Sequence, residues 1–384
     1  VKRDVLVTGA RAPVATDLAR ACLAAGHAVR LADSVTPYAA KWSTVGRGRV
    51  LPLPSPRRDF PAYRNALHAW ARCHPAGVVL PTCEEVFYVA QAAAQCGFQR
   101  QVLAPTPEVL RRLHSKIEFP AWARRLGIPA PETEAIASPQ EARALAARPS
   151  SGLVLKPEFS RFGTATLIRP TAGQLAALDA RPGGRWAAQA HVAGEEICLW
   201  SSARDGEIVA SAAYRPLWRL GRSASFAFEA IDCPAALDVA RTLAADARIT
   251  GQLSFDIILR PDGQAVPIEC NPRAVSGVHL FGGAARLADA LLGDGPPVHA
   301  TEGLAYLRPA MLLFGGPQAL RQGRWRQWRH DLRRGTDALA AAGPAVPLGA
   351  LLDATRFAWV GLSRLRSPTR QSTDDIEWNG EPIG

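Results

Sequence analysis

The chain has 384 residues, 48% hydrophobic and 21% charged, with a formal net charge of +11. That length supports two or three domains with real cores, and the balance of residue types is that of a soluble globular protein. No apolar run approaches the ~20 residues of a membrane span, and seven scattered cysteines offer neither a CxxC pair nor a disulfide framework.

These features, with an N-terminus that leads straight into a strand, make the cytoplasm the expected compartment. The positive charge favours anionic partners. Arginine supplies nearly all of it while lysine is scarce, a bias of usage that weakens the charge as an argument for nucleic acid.

In chain order, Val5 to Thr8 reads as a β-strand, Val14 to Ala25 as a helix with Ala19, Cys22 and Leu23 on one face, and His27 to Ala32 as a second strand. This is a βαβ unit of parallel-sheet type. Asp33 after the second strand suggests a dinucleotide site, but GARAPV lacks two glycines of GxGxxG, which speaks against NAD. Strands at 50–53, 77–80 and 101–103 continue the sheet, with helices near 62–73 and 84–95. Thr82, Glu84 and Glu85 follow the 77–80 strand. They read as a helix cap with acids in the first turn, or as acids that orient a substrate amine.

Pro105-Thr106-Pro107 marks a boundary. Lys116 is expected on a helix, ahead of Leu126-Gly127-Ile128-Pro129. Gly152 to Lys156 reads as a strand, Glu158 to Thr164 as a loop, and a return strand runs through Ile168. Lys156 can reach a phosphate from its strand, and Ser160, Gly163 and Thr164 can offer hydroxyls or amides to phosphate oxygens. Trp186 to Val192 is a further strand, followed by Ala193-Gly194-Glu195-Glu196 and a strand over Ile197 to Ser201. Arg215, Arg219 and Arg222 interleave with Tyr214 and Trp218. They form either a solvated basic turn or a site for carboxylate or phosphate.

The most informative stretch is Gln252 to Gly277. Two strands, Leu253 to Leu259 and Ala265 to Cys270, flank the turn Pro261-Asp262-Gly263. Glu269 and Asn271 are two residues apart and share a strand face, which Asp256 can reach from the neighbouring strand. Two carboxylates and an amide oxygen are hard ligands suited to Mg²⁺, and Arg273 can hold an anion beside them. An ordinary hairpin with satisfied acids is the alternative, yet apolar flanks half-bury the acids, which favours a cation partner. Cys270 points to the opposite face, into a core. His279 is either a satisfied structural histidine or a substrate contact or general base.

The order of these elements resembles the ATP-grasp superfamily of carboxylate ligases, in the branch that includes biotin carboxylase, carbamoyl-phosphate synthetase and D-alanine ligase. The likeness rests on Lys116, on Lys156 with its loop, on the Gly-Glu-Glu segment, and on the F-D-I-I … D-G … I-E-C-N-P-R hairpin. It implies α/β and α+β architecture: a Rossmann-like N-terminal domain over residues 1–112, an ATP-grasp fold over 113–300 with a mobile β lid at about 135–190, and a helical C-terminal extension over 301–384. It implies ATP and Mg²⁺, with Mn²⁺ as a substitute. Lys116 and Lys156 would bind ATP, backbone groups at Gln189, His191 and Val192 would meet the base, and Glu196 the ribose. Asp256, Glu269 and Asn271 would hold the metal, and Arg273 and Arg215 would serve catalysis. The implied reaction activates a carboxylate as an acylphosphate and couples it to an amine. Alternatives are a bicarbonate or thiol acceptor, or a non-catalytic nucleotide-binding or membrane-associated protein. The lid loop departs from the family, with one glycine and Arg161-Phe162 inserted.

Beyond Thr301 the resemblance fades. Trp325, Trp328 and Leu332 fall on one helical face among Arg321, Arg324, Arg326, Arg329, Arg333 and Arg334. The helix packs on the body with an exposed Arg face, or lies on an anionic membrane. Nucleic acid is not expected as a partner, and a homodimer is compatible. The polar ending QSTDDIEWNGEPIG is expected to cap or trail.

Overall fold

The computed structural model describes residues 1–146, 152–160, 166–171, 173–174, 185–219, 225–363 and 371–384. Gly163 and Thr164, with Arg161, Phe162 and Arg222, lie outside the described residues.

Four parallel strands, β1 (Asp4–Thr8), β2 (Ala28–Asp33), β3 (Val50–Pro52) and β4 (Val78–Leu80), form the first sheet in the order β3-β2-β1-β4. Helices α1 (Pro13–Ala24), α2 (Tyr38–Trp42), α3 (Phe60–Cys73) and α4 (Val86–Cys96) pack around it. Local chemistry sets their limits. Pro13 opens α1, where its missing N–H costs nothing. Asp59 caps α3 by accepting from Ala62 N at 3.0 Å. Gly97, at φ 78°, ends α4 in the left-handed region.

Helices α5 (Pro107–His114) and α6 (Glu118–Arg125) lead to a small antiparallel sheet. Its strands are β5 (Thr133–Ile136), β6 (Leu153–Pro157), β7 (Leu167–Ile168) and β8 (Trp186–Ala190), in the order β5-β8-β6-β7, with α7 (Pro139–Ala146) between β5 and β6.

The central sheet is mostly antiparallel. It contains β9 (Glu195–Arg204), β10 (Glu207–Arg219), β11 (Ser225–Ile231), β12 (Gly251–Leu259), β13 (Ala265–Asn271), β14 (Val298–Ala300), β15 (Leu304–Tyr306) and β16 (Thr336–Asp337). The order is β13-β12-β9-β10-β11-β15-β16, with β14 beside β10. Between β11 and β12, helix α8 (Pro234–Asp246) crosses the sheet. Ile197, Leu199, Phe255, Ile257 and Cys270 bury one sheet face against Phe119 and Trp122 of α6 and Val239 and Leu243 of α8. Each buried Leu, Ile or Phe here is worth about 1.5–3 kcal/mol. Strand alternation then turns Glu196, Cys198 and Asp256 to the other face.

Helix α9 (Ala285–Leu292) packs on α1. The C-terminal region is helical, with α10 (Trp325–Arg334) and α11 (Val346–Ser363), and it also contributes β15 and β16 to the central sheet. Trp328 and Leu332 of α10 pack against Trp218 and Met311, while Trp325 stacks on Trp328 at 4.5 Å. The final residues cap the first sheet: Thr373, Ile376 and Trp378 are buried there.

Candidate active site

The hairpin β12–β13 brings the expected acids together. Asp256 and Glu269 are direct cross-strand partners, and Ser254 is paired with Asn271 two residues away on the same face. A bulge at Ile268 separates this register from the Ile257↔Pro267 pairing beyond it. The turn is held by Gly263 at φ 84° and by Gln264 N donating to Asp262 Oδ1 at 3.0 Å.

The lysines converge on these carboxylates. Lys116 Nζ lies 3.3 Å from Glu269 Oε1 and donates to Ser160 O at 2.6 Å. Lys116 is not on a helix as expected; it sits in the connection between α5 and α6. Ser115 breaks the helix there, because its Oγ accepts from Glu118 N at 3.0 Å and restarts the chain as α6. Lys156, on β6, donates to Gln189 Oε1 at 3.0 Å and lies 3.5 Å from Ile268 O. Both lysines are buried. Burial lowers the Lys156 pKa, with Lys116 adding repulsion and Glu269 and Asp256 opposing the shift.

Asp256 is pushed up to about 6, first by burial, then by the like charges of Glu269 and Glu196, with Lys156 and a Cys198 hydrogen bond opposing. A buried carboxylate facing a second one is a fit for a divalent cation, and the donor set of two carboxylates and one amide oxygen is of the hard-oxygen kind Mg²⁺ prefers. Among the described residues no three His, Cys, Asp or Glu side chains gather as a metal cage. Asn271 Oδ1 accepts from Arg273 Nη2 at 3.3 Å.

Arg273 is anchored from the first sheet: its Nε donates to Glu84 Oε1 at 2.8 Å. Glu84 thus meets a cation of the hairpin, while Glu85 accepts from Thr8 Oγ1 at 2.7 Å and Thr82 N at 3.0 Å. Glu84 is where the N-terminal region reaches the site, while Glu85 ties the loop after β4 to β1.

Of the remaining expected residues, Glu196 stands on the site face and is held by Arg219 through bonds of 2.7 and 2.9 Å. Gln189 is buried, its side-chain amide spanning Lys156 and the Ile268 carbonyl. His191 and Val192 continue from β8, with His191 N donating to Gly152 O at 2.5 Å. Gly194 follows at φ 155°; a Cβ there would meet Leu259 O at 2.5 Å, so glycine is required. Ser160 contributes its carbonyl to Lys116, and its hydroxyl donates to Pro157 O at 3.2 Å.

Arg215 is not brought to the cleft. It lies in β10, which runs on through Arg219 instead of ending in a basic turn, with bulges between Pro216 and Arg219. Tyr214 shares the Asp256 and Cys198 row, so Arg215 faces the other way and pairs with Glu195. His279 is a satisfied structural histidine: buried, 2.7 Å from Asp17 Oδ2, and stacked on Phe228.

One signal went unused in the sequence. The chain has only four lysines, Lys2, Lys41, Lys116 and Lys156. Two of them are the buried pair of this cleft. Where arginine has replaced lysine almost everywhere, a retained lysine marks a need for a compact point charge.

No protein-family model and no curated protein sequence matches the chain. Solved structures do match. Carboxyaminoimidazole ribonucleotide synthase from Aspergillus clavatus, solved with ATP, aligns at TM-score 0.61 and 16% identity over 78% of this chain and 79% of that one. Phosphoribosylamine–glycine ligase from Thermotoga maritima aligns at TM-score 0.58 and 16% identity, covering 78% of each chain. L-amino acid ligase from Bacillus licheniformis aligns at TM-score 0.55 and 15% identity, covering 78% of this chain and 76% of that one. The chain therefore has the ATP-grasp fold.

Proposed function

We propose that this protein is an ATP-dependent ligase that activates a carboxylate as an acylphosphate and couples it to an amine. The observation that carries the reading is the convergence of Lys116 and Lys156 on the facing pair Asp256 and Glu269, between the small sheet and the central sheet. Asp256, Glu269 and Asn271 would hold Mg²⁺, which neutralises phosphate charge when bound. Lys116 and Lys156 hold the phosphates, the backbone at Gln189 to Val192 meets the base, and Glu196 takes the ribose hydroxyls. Arg273, fixed by Glu84, orients the acid substrate's carboxylate toward the transferable phosphoryl group. Positioning and electrostatics are what phosphoryl transfer asks of a protein. The seven unpaired cysteines suit a reducing, cytoplasmic setting. No helix of the described residues is long and apolar enough to cross a membrane.

The test is a screen of amino acids and small carboxylates, singly and in pairs, for ATP-dependent phosphate release, with products identified by mass spectrometry. ADP and an amide product support the reading. ADP with a carboxylated or thioester product would move it to the bicarbonate or thiol alternative. No ADP with any pair, together with unchanged ATP binding in Glu269→Ala, would favour a non-catalytic protein.

A second reading concerns the surface. Leu312, Leu313, Phe314, Leu320 and Trp325 are exposed beside the arginines of α10. We propose that this face meets an anionic lipid surface, since leucine inserts into lipid and has no stacking role on bases. Co-sedimentation with phosphatidylglycerol vesicles, lost in Phe314→Glu, supports it. Retention on DNA, or a dimer by light scattering that Phe314→Glu dissolves, replaces it.

A further inference from the structure

Lys116 is gripped by a second segment of chain, Glu158 to Ser160. Its backbone N–H donates to Glu158 O at 3.2 Å, and its ammonium to Ser160 O at 2.6 Å. Ser115 Oγ adds a bond to Glu158 Oε1 at 2.6 Å. The residues flanking this grip are aromatic. His114 precedes Ser115, Phe159 precedes Ser160, and their rings lie 5.9 Å apart.

Trp378 closes this pair of rings from the far end of the chain. Its ring lies 5.0 Å from Phe159, 6.4 Å from His114 and 4.8 Å from Phe87 of α4. Its indole N–H donates to Glu381 O at 2.5 Å. Gly380 packs against Phe159 so closely that a Cβ would stand 2.6 Å from two ring carbons, and its φ is 94°. The segment is held on the other side by the first sheet. Asp375 takes bonds from Arg11 and Ser34, each at 2.6 Å, and Tyr88 donates to Glu377 O at 2.9 Å. One segment therefore joins the first sheet to both flanks of the Lys116 grip.

We propose that Trp378 is a positioning residue for the nucleotide site. It fixes His114 and Phe159, and through them holds the Ser160 carbonyl and the Lys116 ammonium in register with Glu269. A lysine stem has four rotatable carbons, so an untethered ammonium would sample many positions. Displacement by about 1 Å in such a site can cost orders of magnitude. The inference rests on reading Lys116 as a nucleotide-binding lysine.

The experiment titrates a fluorescent ATP analogue with Mg²⁺ into the full chain, well below each variant's melting temperature. Lys116→Ala is expected to weaken binding about tenfold or more, and Trp378→Ala by about tenfold. Trp378→Phe should recover most of the affinity, and Asp374→Ala, a change in the same segment away from Phe159, should leave it unchanged. A purely structural role predicts a lower Tm for Trp378→Ala with the affinity of the folded protein intact, and that result overturns the inference while leaving nucleotide binding in place. If Trp378→Ala does not fold, Gly380→Ala and Trp378→Phe decide the matter: weaker binding in Gly380→Ala supports positioning, unchanged binding overturns it. No binding by the wild-type chain removes the nucleotide reading and this inference together.

Discussion

Lys116 Nζ stands 3.3 Å from Glu269 Oε1, and Glu269 is the cross-strand partner of Asp256. A cation from one segment and two carboxylates from a hairpin thus share one small volume. Glu269→Ala leaves Lys116 bound to Ser160 alone and removes one of two facing acids. Glu269 is only partly buried, so the fold should persist. The expected result is loss of the Mg²⁺ dependence of ATP binding, with affinity down about tenfold or more, read by titration with and without the cation.

Arg215 and Arg219 are four residues apart, yet only Arg219 reaches a cleft residue, Glu196. Arg215→Ala should change phosphate release by less than about fivefold, since an exposed ion pair is worth ~1 kcal/mol at most. Arg219→Ala should weaken nucleotide binding by freeing Glu196. Parallel kinetics of the two variants check this; a large loss in Arg215→Ala would restore it as a catalytic residue.

Arg273 and Glu84 form a buried pair between the hairpin and the first sheet, with side chains 15% and 1% exposed. Breaking such a pair from one side costs about 3–5 kcal/mol. Arg273→Ala should therefore lower Tm as well as activity. In a double-mutant cycle with Glu84→Gln, the stability losses should be sub-additive, whereas additive losses would mean the pair does not act as a unit.

Asp375 supplies a pH-dependent part of the C-terminal cap. Burial alone would raise its pKa, but the hydrogen bonds and charge of Arg11, with a bond from Ser34, bring it below the ordinary value. A depressed folded pKa means stability present above the unfolded carboxylate pKa of about 3.9 and lost as pH falls through the folded value. The Tm difference between wild type and Asp375→Asn should be present at neutral pH and shrink below about pH 4. A difference that stays constant into acid would contradict the assignment.

Much of the site was legible because its parts are local. Alternation puts Glu269 and Asn271 on one strand face, and the bulge at Ile268, which the turn spacing does not announce, sets that face opposite Asp256. Cys270 falls on the opposite face for the same reason and is buried there. What escaped depends on contacts between distant segments. The bulges of β10 after Pro216 extend a strand where a basic turn reads equally well, and they set Arg219 on the Glu196 face while plain alternation leaves Arg215 on the other. Ser115 interrupts a helix around Lys116 because it also bonds Glu158. The ending of the chain reads as polar, yet Ile376 and Trp378 are buried, with the acids between and beside them paired by Arg11 and Arg57 and hydrogen-bonded by Ser34. No periodicity within fourteen residues encodes partners that far away.

The cleft between the small and central sheets is proposed to be a Mg-nucleotide site. Calorimetric titration of Mg-ATP into the wild-type chain and Lys156→Ala tests it most directly, since Lys156 is buried and contacts Gln189 and the Ile268 carbonyl. Saturable, Mg²⁺-dependent binding by the wild type, weakened about tenfold or more in Lys156→Ala, is the predicted result. No binding by the wild type, or equal binding by both, would contradict it.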